Sequence, residues 1–322
     1  MKIGFDIMGG DFAPETALEG AILALKELSP DVELVLIGSK SIIEESLPEY
    51  FNQLQQYPNV SIIDTPEVIT MSDSPTKAFS QKPNSSIAVG FGMLNNDDID
   101  VFLGAGNTGA MMVGALYTVK AIEGVMRPTI LSLVPKLNGN YGIILDVGVN
   151  SDTRQDVLLQ FGIIGSLYMK VMFNLENPKV GLFNIGSERE KGNLVTQAAY
   201  PLFEAAKQIN FIGNVEGYDL FSDMVDVIVC DGFTGNLVLK SQEGVYNIIK
   251  QKGLEDDFFR RFDYQEYGGT PILGINKPVI VGHGTSTGKA FKNMILLAKS
   301  VIENNLVDEI KNLFKSQNNI NE

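Results

Sequence analysis

Short runs of Val, Ile and Leu alternate along the chain with segments in which apolar residues recur at helical spacing. Several of these runs are almost continuously apolar, which is typical of strands buried on both faces. Such alternation predicts an α/β fold with a mostly parallel sheet, helices on both sides and right-handed crossovers. The predicted strands are 2–7, 33–37, 60–63, 101–103, 129–134, 142–147, 179–185, 210–212, 226–229 and 279–281. The predicted helices are 14–28, 85–94, 108–121, 154–173, 192–207 and 236–250.

Two regions near the C-terminus have patterns of their own. Residues 286–314 predict one long amphipathic helix, and residues 316–322 are expected to fray. Residues 244–269 combine phenylalanines with Lys and Arg side chains, which predicts a protruding helical hairpin or loop. The whole chain, 1–322, is interpreted as one α/β/α catalytic unit from which this segment protrudes.

Glycine-rich or polar segments follow six of the predicted strands. In parallel α/β sheets, ligands bind outside the carboxyl ends of the strands. We therefore expect these segments to build a composite site for an anion or another polar ligand. They are 8–11 (MGGD), 104–109 (GAGNTG), 146–150 (DVGVN), 184–193 (NIGSEREKGN), 230–236 (CDGFTGN) and 282–288 (GHGTSTG).

The segment 104–109 matches G-x-G-x-x-G between a strand and a helix, which by itself indicates a dinucleotide site. Such a site also needs an acidic residue at the end of the next strand, and this chain has a proline and a lysine there. What remains is a helix N-terminus at which the amides of Gly106 and Gly109 and the side chains of Asn107 and Thr108 face an anion such as phosphate. A tight turn capped by Asn107 or Thr108 is the alternative.

The segment 282–289 resembles the phosphate-binding loop of nucleoside triphosphatases. His283 stands where that loop has its first glycine, and Ala290 stands where it has its magnesium-binding hydroxyl. The sequence therefore excludes a triphosphate site of that kind. His283 either contributes to substrate binding or is a hydrogen-bonded turn residue.

The first strand ends in a carboxylate and two glycines. Gly9 and Gly10 permit a close backbone approach or a positive φ, and Asp6 lies at the strand end. Asp11 is placed either to contact substrate or to cap the helix that begins near Pro14.

Lys191 and Asn236 are the candidate catalytic residues. A lysine just before a helix lies at the unfavourable end of the helix dipole, which makes sense if its ammonium group faces a phosphate or a developing oxyanion. A solvated lysine paired with Glu188 or Glu190 is the alternative. Asn236 supplies an amide at the start of a helix, and an N-cap is its alternative role.

Composition excludes several classes of function. The formal net charge of −14 argues against nucleic-acid binding, which needs a basic surface. One histidine and one cysteine, Cys230, are too few for the common zinc sites or for an intramolecular disulfide. The N-terminus is not a signal peptide, and no run of 18 apolar residues occurs, so a cytoplasmic location is expected.

Taken together, the motifs resemble the family of acyl-acyl-carrier-protein:phosphate acyltransferases. Each motif is weak alone, but they occur in order from the first strand to the last and cover nearly the whole chain. The matching segments are 6–11 (DIMGGD), 105–110 (AGNTGA), 145–150 (LDVGVN), 184–186 with 191–193, 213–217 (GNVEG), 230–240 (CDGFTGNLVLK), 266–269 (EYGG) and 283–284.

The resemblance implies a three-layer α/β/α fold similar to phosphotransacetylases and isocitrate-dehydrogenase-like enzymes, in a protein that is usually dimeric and attached peripherally to the inner membrane surface. It also implies that the phosphate and substrate contacts include Ser85, Ser86, Asp146, Asn150 and Gly235, besides the residues named above.

One segment departs from the family pattern. Before the Ser85-Ser86 pair the family usually has a basic run, and Ser80 stands here where an arginine is expected. Within residues 79–86 only Lys82 keeps a positive charge.

The activity implied by the resemblance is transfer of a long-chain fatty acyl group from acyl carrier protein to inorganic phosphate, giving acyl phosphate for phospholipid synthesis. Phosphate is itself a competent oxygen nucleophile, so neither a protein nucleophile nor a cofactor is needed, and the enzyme's task is positioning and charge stabilisation. Phosphate would lie on the amides around Gly106 and Gly109. Lys191 and the amide of Asn236 would stabilise the oxyanion.

Three other functions stay open. The thiol carrier could be coenzyme A, as in phosphotransacetylases; the 104–109 loop could serve an NAD-dependent oxidoreductase; or the protein could be a non-catalytic scaffold in lipid synthesis. The 244–269 segment has three possible roles as well: contact with a dimer partner, with the acyl chain, or with the membrane.

Overall fold

The computed structural model describes residues 1–318, which fall into two compact units. Unit 1 comprises Met1–Ala121 with Tyr264–Val307, and unit 2 comprises Ile122–Asp263 with the residues from Asp308 onward. Each unit has its own sheet. That the chain acts as one catalytic unit over 1–322 stays a prediction.

Most of the predicted elements are present in the structure. The strands are β1 (Lys2–Asp6), β2 (Glu33–Gly38), β3 (Val60–Asp64), β4 (Val101–Gly104), β5 (Leu131–Pro135), β6 (Tyr141–Leu145), β7 (Lys179–Phe183), β8 (Asn210–Val215), β9 (Val227–Val229), β10 (Gly269–Pro271) and β11 (Val279–Gly282). The helices are α1 (Glu15–Leu25), α2 (Lys40–Ser46), α3 (Pro48–Leu54), α4 (Pro75–Gln81), α5 (Ser86–Asn95), α6 (Thr108–Gly114), α7 (Gln155–Phe173), α8 (Leu194–Ala205), α9 (Gly232–Gln251), α10 (Asp257–Arg260), α11 (Gly288–Glu303) and α12 (Leu306–Asn318).

The sheet of unit 1 has the strand order β10-β11-β4-β1-β2-β3 and is parallel except for β10. Helices cover both of its faces. Phe5 packs against Phe291 of α11, with ring centroids 5.3 Å apart, and Phe102 packs against Phe91 of α5 at 5.0 Å. Because Phe102 is in register with Gly4, the neighbour of Phe5, the two aromatic contacts lie on opposite faces of the sheet. Unit 1 is therefore a three-layer α/β/α structure.

The sheet of unit 2 has the order β5-β6-β9-β7-β8 and is parallel except for β5. Successive residues of β9 again point to opposite faces: Val227 lies against Gly165 of α7, and Ile228 belongs to a buried cluster on which Val238 of α9 packs. Both units thus have helices on the two sides of a mostly parallel sheet, as the sequence pattern predicts.

The six polar strand-end segments do not share one sheet. Those after β1, β4 and β11 lie at the carboxyl edge of unit 1, and those after β6, β7 and β9 lie at the carboxyl edge of unit 2. In each unit the three strands concerned are immediate neighbours, in the orders β11-β4-β1 and β6-β9-β7. Periodicity identifies strands but does not show which strands pair across long stretches of sequence, so it could not reveal this division.

The predicted single helix over 286–314 is wrong. α11 ends at Glu303 and α12 begins at Leu306, because Asn305 adopts a left-handed φ of 52° that ends the first helix. The fraying predicted for 316–322 falls largely on residues outside the described part. The pattern also missed β10 and the helices α2, α3 and α4, which are too short to show a clear period.

The 244–269 segment contains the last two turns of α9, the short helix α10 and a turn of 3₁₀ helix at Tyr264–Glu266. The Tyr246 hydroxyl donates a short hydrogen bond to Glu255, which ties the end of α9 to the residues before α10. That the 244–269 segment protrudes and that it contacts other molecules stay predictions.

In the described part of the chain, α7 alone is long and apolar enough, by length and composition, to cross a membrane. More than half of it is buried in the structure, where it packs on β6, β7 and β9. Its apolarity is that of a core helix in unit 2.

Candidate functional site

The carboxyl edge of unit 1 is built by two loops in close backbone contact. A side chain at Gly9 would place its Cβ 2.5 Å from the backbone nitrogen of Gly106, so only glycine fits there. The amide of Asp11 donates to the carbonyl oxygen of Gly284 at 2.7 Å, which joins the loop after β11 to the loop after β1. The loops after β1, β4 and β11 therefore form one connected edge, with Gly10 at a positive φ of 119° between the two contacts.

Asp6 lies beneath these loops. It is 1% exposed, and its Oδ1 accepts a hydrogen bond from the Met8 amide at 3.0 Å. Burial raises the pKa of the Asp6 carboxyl from its ordinary 3.8 to about 6, although the Ser86 hydroxyl and the amides of Met8 and Gly9 oppose the rise. The structure thus brings Asp6, Ser86, Gly9 and Gly106 together. Asp6 accepts hydrogen bonds from the loop after β1 and so helps to hold that loop in place.

Asp6→Asn is expected to stabilise the protein at pH 8 and to change it little at pH 4. The folded-state pKa lies above the unfolded one, so the stabilisation from protonated Asp6 is lost as pH rises from 3.8 through about 6. Above that range the buried charge costs up to about 3 kcal/mol, and asparagine avoids this cost. Melting temperatures of both proteins across this pH range measure it. An equal shift at pH 4 and pH 8 would contradict the assignment.

The Asn107 side chain caps α6 and also binds the 70–73 loop. Its Oδ1 accepts from the Ala110 amide at 3.0 Å, and its Nδ2 donates to the carbonyl oxygens of Thr70 and Asp73 at 3.1 and 3.0 Å. These contacts occupy the Asn107 side chain. Its role in the structure is therefore the capping role that was the alternative to anion binding. Any anion at this loop would meet backbone amides and the exposed Thr108, beside Gly109.

The 70–73 loop is held from a second side by Lys82. Its Nζ pairs with Asp73 at 2.6 Å and donates to the carbonyl oxygen of Val68 at 2.9 Å. The positive charge that the sequence retains in this segment is therefore committed to a carboxylate. Ser85 is likewise committed: it caps α5 by accepting from the Ala88 amide and donates to the Lys82 carbonyl oxygen.

His283 lies in a hydrogen-bonded turn. Its Nδ1 is 2.8 Å from the Thr285 hydroxyl and accepts from the Thr285 amide, and its ring stacks on Tyr264 with centroids 4.8 Å apart.

Asp11 is exposed and does not cap α1, whose N-cap residue is Pro14. The capping role weighed for Asp11 is therefore wrong, because the helix begins at Glu15.

The carboxyl edge of unit 2 is organised by Asp146, which is fully buried. Its Oδ1 accepts from the amides of Gly148 and Val149, and its Oδ2 accepts from the main-chain and side-chain amides of Asn150 at 2.5 and 2.8 Å. Asn150 also donates to the carbonyl oxygen of Pro128 at 2.8 Å. Both residues therefore shape the loop that follows β6.

α9 begins at Gly232, four residues earlier than predicted, because Asp231 caps it by accepting from the amide and hydroxyl of Thr234. A Cβ at Gly235 would lie 2.0 Å from the Asp146 carbonyl oxygen, so glycine lets the helix approach the end of β6. The N-cap alternative for Asn236 is thus wrong. Asn236 lies inside the helix, half-buried, and its Nδ2 donates to the Val147 carbonyl oxygen at 3.2 Å.

Lys191 is exposed in the loop between β7 and α8. Asn193 caps α8, which begins at Leu194, two residues later than predicted. The stem of Lys191 lies against Gly186, and its carbonyl oxygen accepts from Asn184 at 3.1 Å. Among the described residues its ammonium group makes no ion pair, so the structure does not show the predicted alternative of pairing with a neighbouring glutamate. β7 and β9 are neighbours, which places the Lys191 and Asn236 segments at adjacent strand ends.

Unit 2 also has an open cleft of about 360 Å³ that the sequence did not predict, lined by Met126, Arg127, Asp152, Thr153, Arg154 and Val157. It lies beside the loop that Asp146 and Asn150 shape. The sequence signals for this cleft were Arg127, immediately before Pro128, and Arg154, just after the DVGVN segment. The two arginines come close together only because β5 pairs antiparallel with β6.

This fold is that of the phosphotransacetylases. A phosphotransacetylase from Streptococcus pyogenes superposes with a TM-score of 0.61 over 94% of both chains at 16% identity. A branched-chain phosphotransacylase from Enterococcus faecalis gives 0.61 over 93% of this chain and 98% of its own, at 13% identity. At such low identities the likeness establishes the fold class alone.

The chain belongs to the family described as fatty acid synthesis protein, whose model matches residues 1–309. A phosphate acyltransferase of Thermoanaerobacterium thermosaccharolyticum is 41% identical over 97% of this chain and 96% of its own length. That of Endomicrobium trichonymphae is 41% identical over 99% of both chains. The protein is therefore an acyltransferase of this family, as the motif resemblance predicted.

Proposed function

We propose that this acyltransferase moves a long-chain fatty acyl group from acyl carrier protein to inorganic phosphate, giving acyl phosphate for phosphatidic acid synthesis. The observation that carries the proposal is the 41% identity, over nearly full length, to proteins named phosphate acyltransferase. The description of the family as a fatty acid synthesis protein supports a fatty acyl substrate.

The proposed reaction needs no protein nucleophile. A phosphate oxygen attacks the thioester carbonyl carbon, a C–O bond forms, the C–S bond breaks, and the pantetheine thiolate leaves and takes up a proton. Cys230 is poorly suited to a covalent step, because burial raises the pKa of its thiol and keeps it in the unreactive form. Catalysis then depends on positioning and on stabilising the oxyanion.

The proposed phosphate contacts and the proposed oxyanion donors come from different motifs. In unit 1, the amides around Gly106 and Gly109 and the exposed Thr108 are the proposed phosphate contacts, with Asp6 and Asn107 holding the loops. In unit 2, Lys191 supplies a positive charge without an ion pair among the described residues, and Asn236 supplies a side-chain amide. Both are proposed to stabilise the oxyanion, and Lys191 to protonate the thiolate.

The test is to incubate the protein with phosphate and palmitoyl acyl carrier protein, and to trap acyl phosphate with hydroxylamine. Formation of acyl phosphate supports the proposal. If neither palmitoyl acyl carrier protein nor palmitoyl coenzyme A gives acyl phosphate, acyl transfer to phosphate is excluded. A parallel incubation with palmitoyl coenzyme A tests the second candidate function, in which the thiol carrier is coenzyme A. NADH titration tests the oxidoreductase alternative, which the relatives do not favour.

Asn236→Ala is expected to lower the rate of acyl phosphate formation by about 10²-fold, because the variant loses one proposed oxyanion donor. The protein should stay folded, since the side chain makes one hydrogen bond of 3.2 Å, to Val147. Steady-state kinetics with the trapping assay measure the loss. A rate within a factor of about two of the parent would remove Asn236 from the oxyanion site.

A homodimer and peripheral membrane contact through 244–269 are proposals as well. The exposed apolar side chains of this segment are Val245, Ile248 and Leu254, the last two 59% and 67% exposed. Phe258 and Phe259, two adjacent phenylalanines of this segment, are half-buried and pack on each other, with ring centroids 5.6 Å apart. These observations move the candidate membrane contact to Leu254 and the end of α9.

Ile248→Ser with Leu254→Ser is expected to reduce flotation of the protein with anionic liposomes, because it removes apolar area that would enter the interface. The matched control is Met224→Ser, a change at an apolar side chain of unit 2 that is 60% exposed and outside the segment. Unchanged flotation of the double variant would exclude this membrane role.

A further inference from the structure

The cleft beside the β6 loop has the composition of an anion site. Two of its six lining residues are arginines, Arg127 and Arg154, in a chain whose formal net charge is −14. The hydroxyl oxygen of Thr153, also in the lining, is buried and has no hydrogen-bond partner among the described residues. An unpartnered buried hydroxyl is costly unless a ligand or water satisfies it.

The segment that carries Arg127 is fixed on both sides of that residue. The Met126 amide donates to Oε1 of Gln160 at 2.9 Å, and the Pro128 carbonyl oxygen accepts from Asn150 at 2.8 Å. Gln160 also donates to the carbonyl oxygen of Gly124 at 2.8 Å. The backbone of Arg127 is therefore held in place by a core helix and by the strand-end loop, as a preorganised binding residue requires.

Arg127 is also available for a ligand. Among the described residues its guanidinium makes neither an ion pair nor a hydrogen bond, whereas Arg154 binds both carboxylate oxygens of Asp156 through Nε and Nη2. A guanidinium offers a planar pair of donors that matches two oxygens of a phosphoryl group. Asp152 is the opposing charge in the lining, and it would weaken the binding of an anion.

We propose that this cleft binds a phosphoryl group, with Arg127 as its principal cation and the Thr153 hydroxyl as a second contact. The proposal rests on the proposed function for the source of that group. The source is either the inorganic phosphate that is consumed or the phosphodiester of the pantetheine arm that carries the acyl thioester. Both present the same charged oxygens to the cleft, so the experiment must distinguish them.

The experiment measures binding of orthophosphate and of pantetheine 4′-phosphate by calorimetry, in the parent protein and in Arg127→Gln. A charge-assisted pair is worth enough to raise the dissociation constant of one anion by about 10-fold or more. Arg127→Lys should recover part of the affinity, because it keeps the charge and loses the planar fork. Asp152→Asn should bind the same anion more tightly, and this opposite sign separates anion binding from a general loss of folding.

The matched control is Arg260→Gln, which removes an exposed arginine of unit 2 that is paired with Asp257. Weaker binding of orthophosphate in Arg127→Gln assigns the cleft to the nucleophile in place of the amides around Gly106 and Gly109, and weaker binding of pantetheine phosphate assigns it to the carrier arm. Unchanged binding of both, or an equal loss in Arg260→Gln, overturns the proposal. If the parent binds an anion through Arg127 but yields no acyl phosphate, the proposed function fails and the site stands.

Discussion

Replacement of Lys191 by alanine is expected to give a folded protein that forms acyl phosphate about 10²- to 10³-fold more slowly. The ammonium group is exposed, has no ion pair among the described residues, and lies at the strand end adjacent to that of β9. Such a charge stabilises a developing oxyanion without first breaking another contact. Steady-state kinetics with hydroxylamine trapping measure the effect on kcat.

The matched control is Lys207→Ala, an exposed lysine of unit 2 just beyond the end of α8. It removes the same charge from the same unit and should leave the rate unchanged. If Lys191→Ala turns over at a near-normal rate, or if both variants lose activity equally, then Lys191 has no specific role. A loss confined to the KM for phosphate would instead make it a binding residue.

Lys136→Met is expected to lower the free energy of unfolding by about 3–5 kcal/mol, the largest stability effect that we predict for one side chain. Lys136 makes a short ion pair with Asp226, and the two side chains are only 3% and 13% exposed. Asp226 also accepts from the Lys179 amide at 2.8 Å. Methionine fills the space but leaves the Asp226 carboxylate buried without its countercharge.

Urea unfolding followed by circular dichroism measures this loss. Lys240→Met is the control, because the Lys240 side chain is 50% exposed, and an ion pair with such an exposed lysine contributes at most about 1 kcal/mol. Lys136→Met combined with Asp226→Leu should recover much of the stability, since no unpaired charge then remains. A single variant as stable as the parent would show that water reaches Asp226 in unit 2.

The family and the chemistry could be recognised from local sequence, because glycine requirements are local. Gly9 and Gly235 lie where another backbone leaves no room for a Cβ, and each stands in a short motif after a strand. The same locality explains the errors at the helix starts. Asp231 and Asn193 are strong caps, and recognising them would have placed the first residues of α9 and α8 correctly.

Side-chain roles were less predictable, because one residue type serves both binding and capping. Asn107 was expected to face an anion, and the structure commits its side chain to Ala110 and to the 70–73 loop. Asp146 and Asn150 lie in a motif of the expected kind, yet their polar atoms hold the β6 loop and the Pro128 carbonyl oxygen. Asn107 and Thr70 are 37 residues apart in sequence, and Asn150 and Pro128 are 22 apart. At such separations the sequence pattern does not indicate which residues are hydrogen-bonded.

Local sequence is sufficient to predict the α/β class, the positions of most strands, the placement of the polar motifs at strand ends, and the family. Each of these depends on hydrophobic period or on a short motif, which neighbouring residues specify. Long-range packing, by contrast, divides the motifs between two sheets, buries Asp6 and raises its pKa, and brings Arg127 and Arg154 to one cleft. These properties depend on strand pairing and on exclusion of water, which arise only when distant segments pack together.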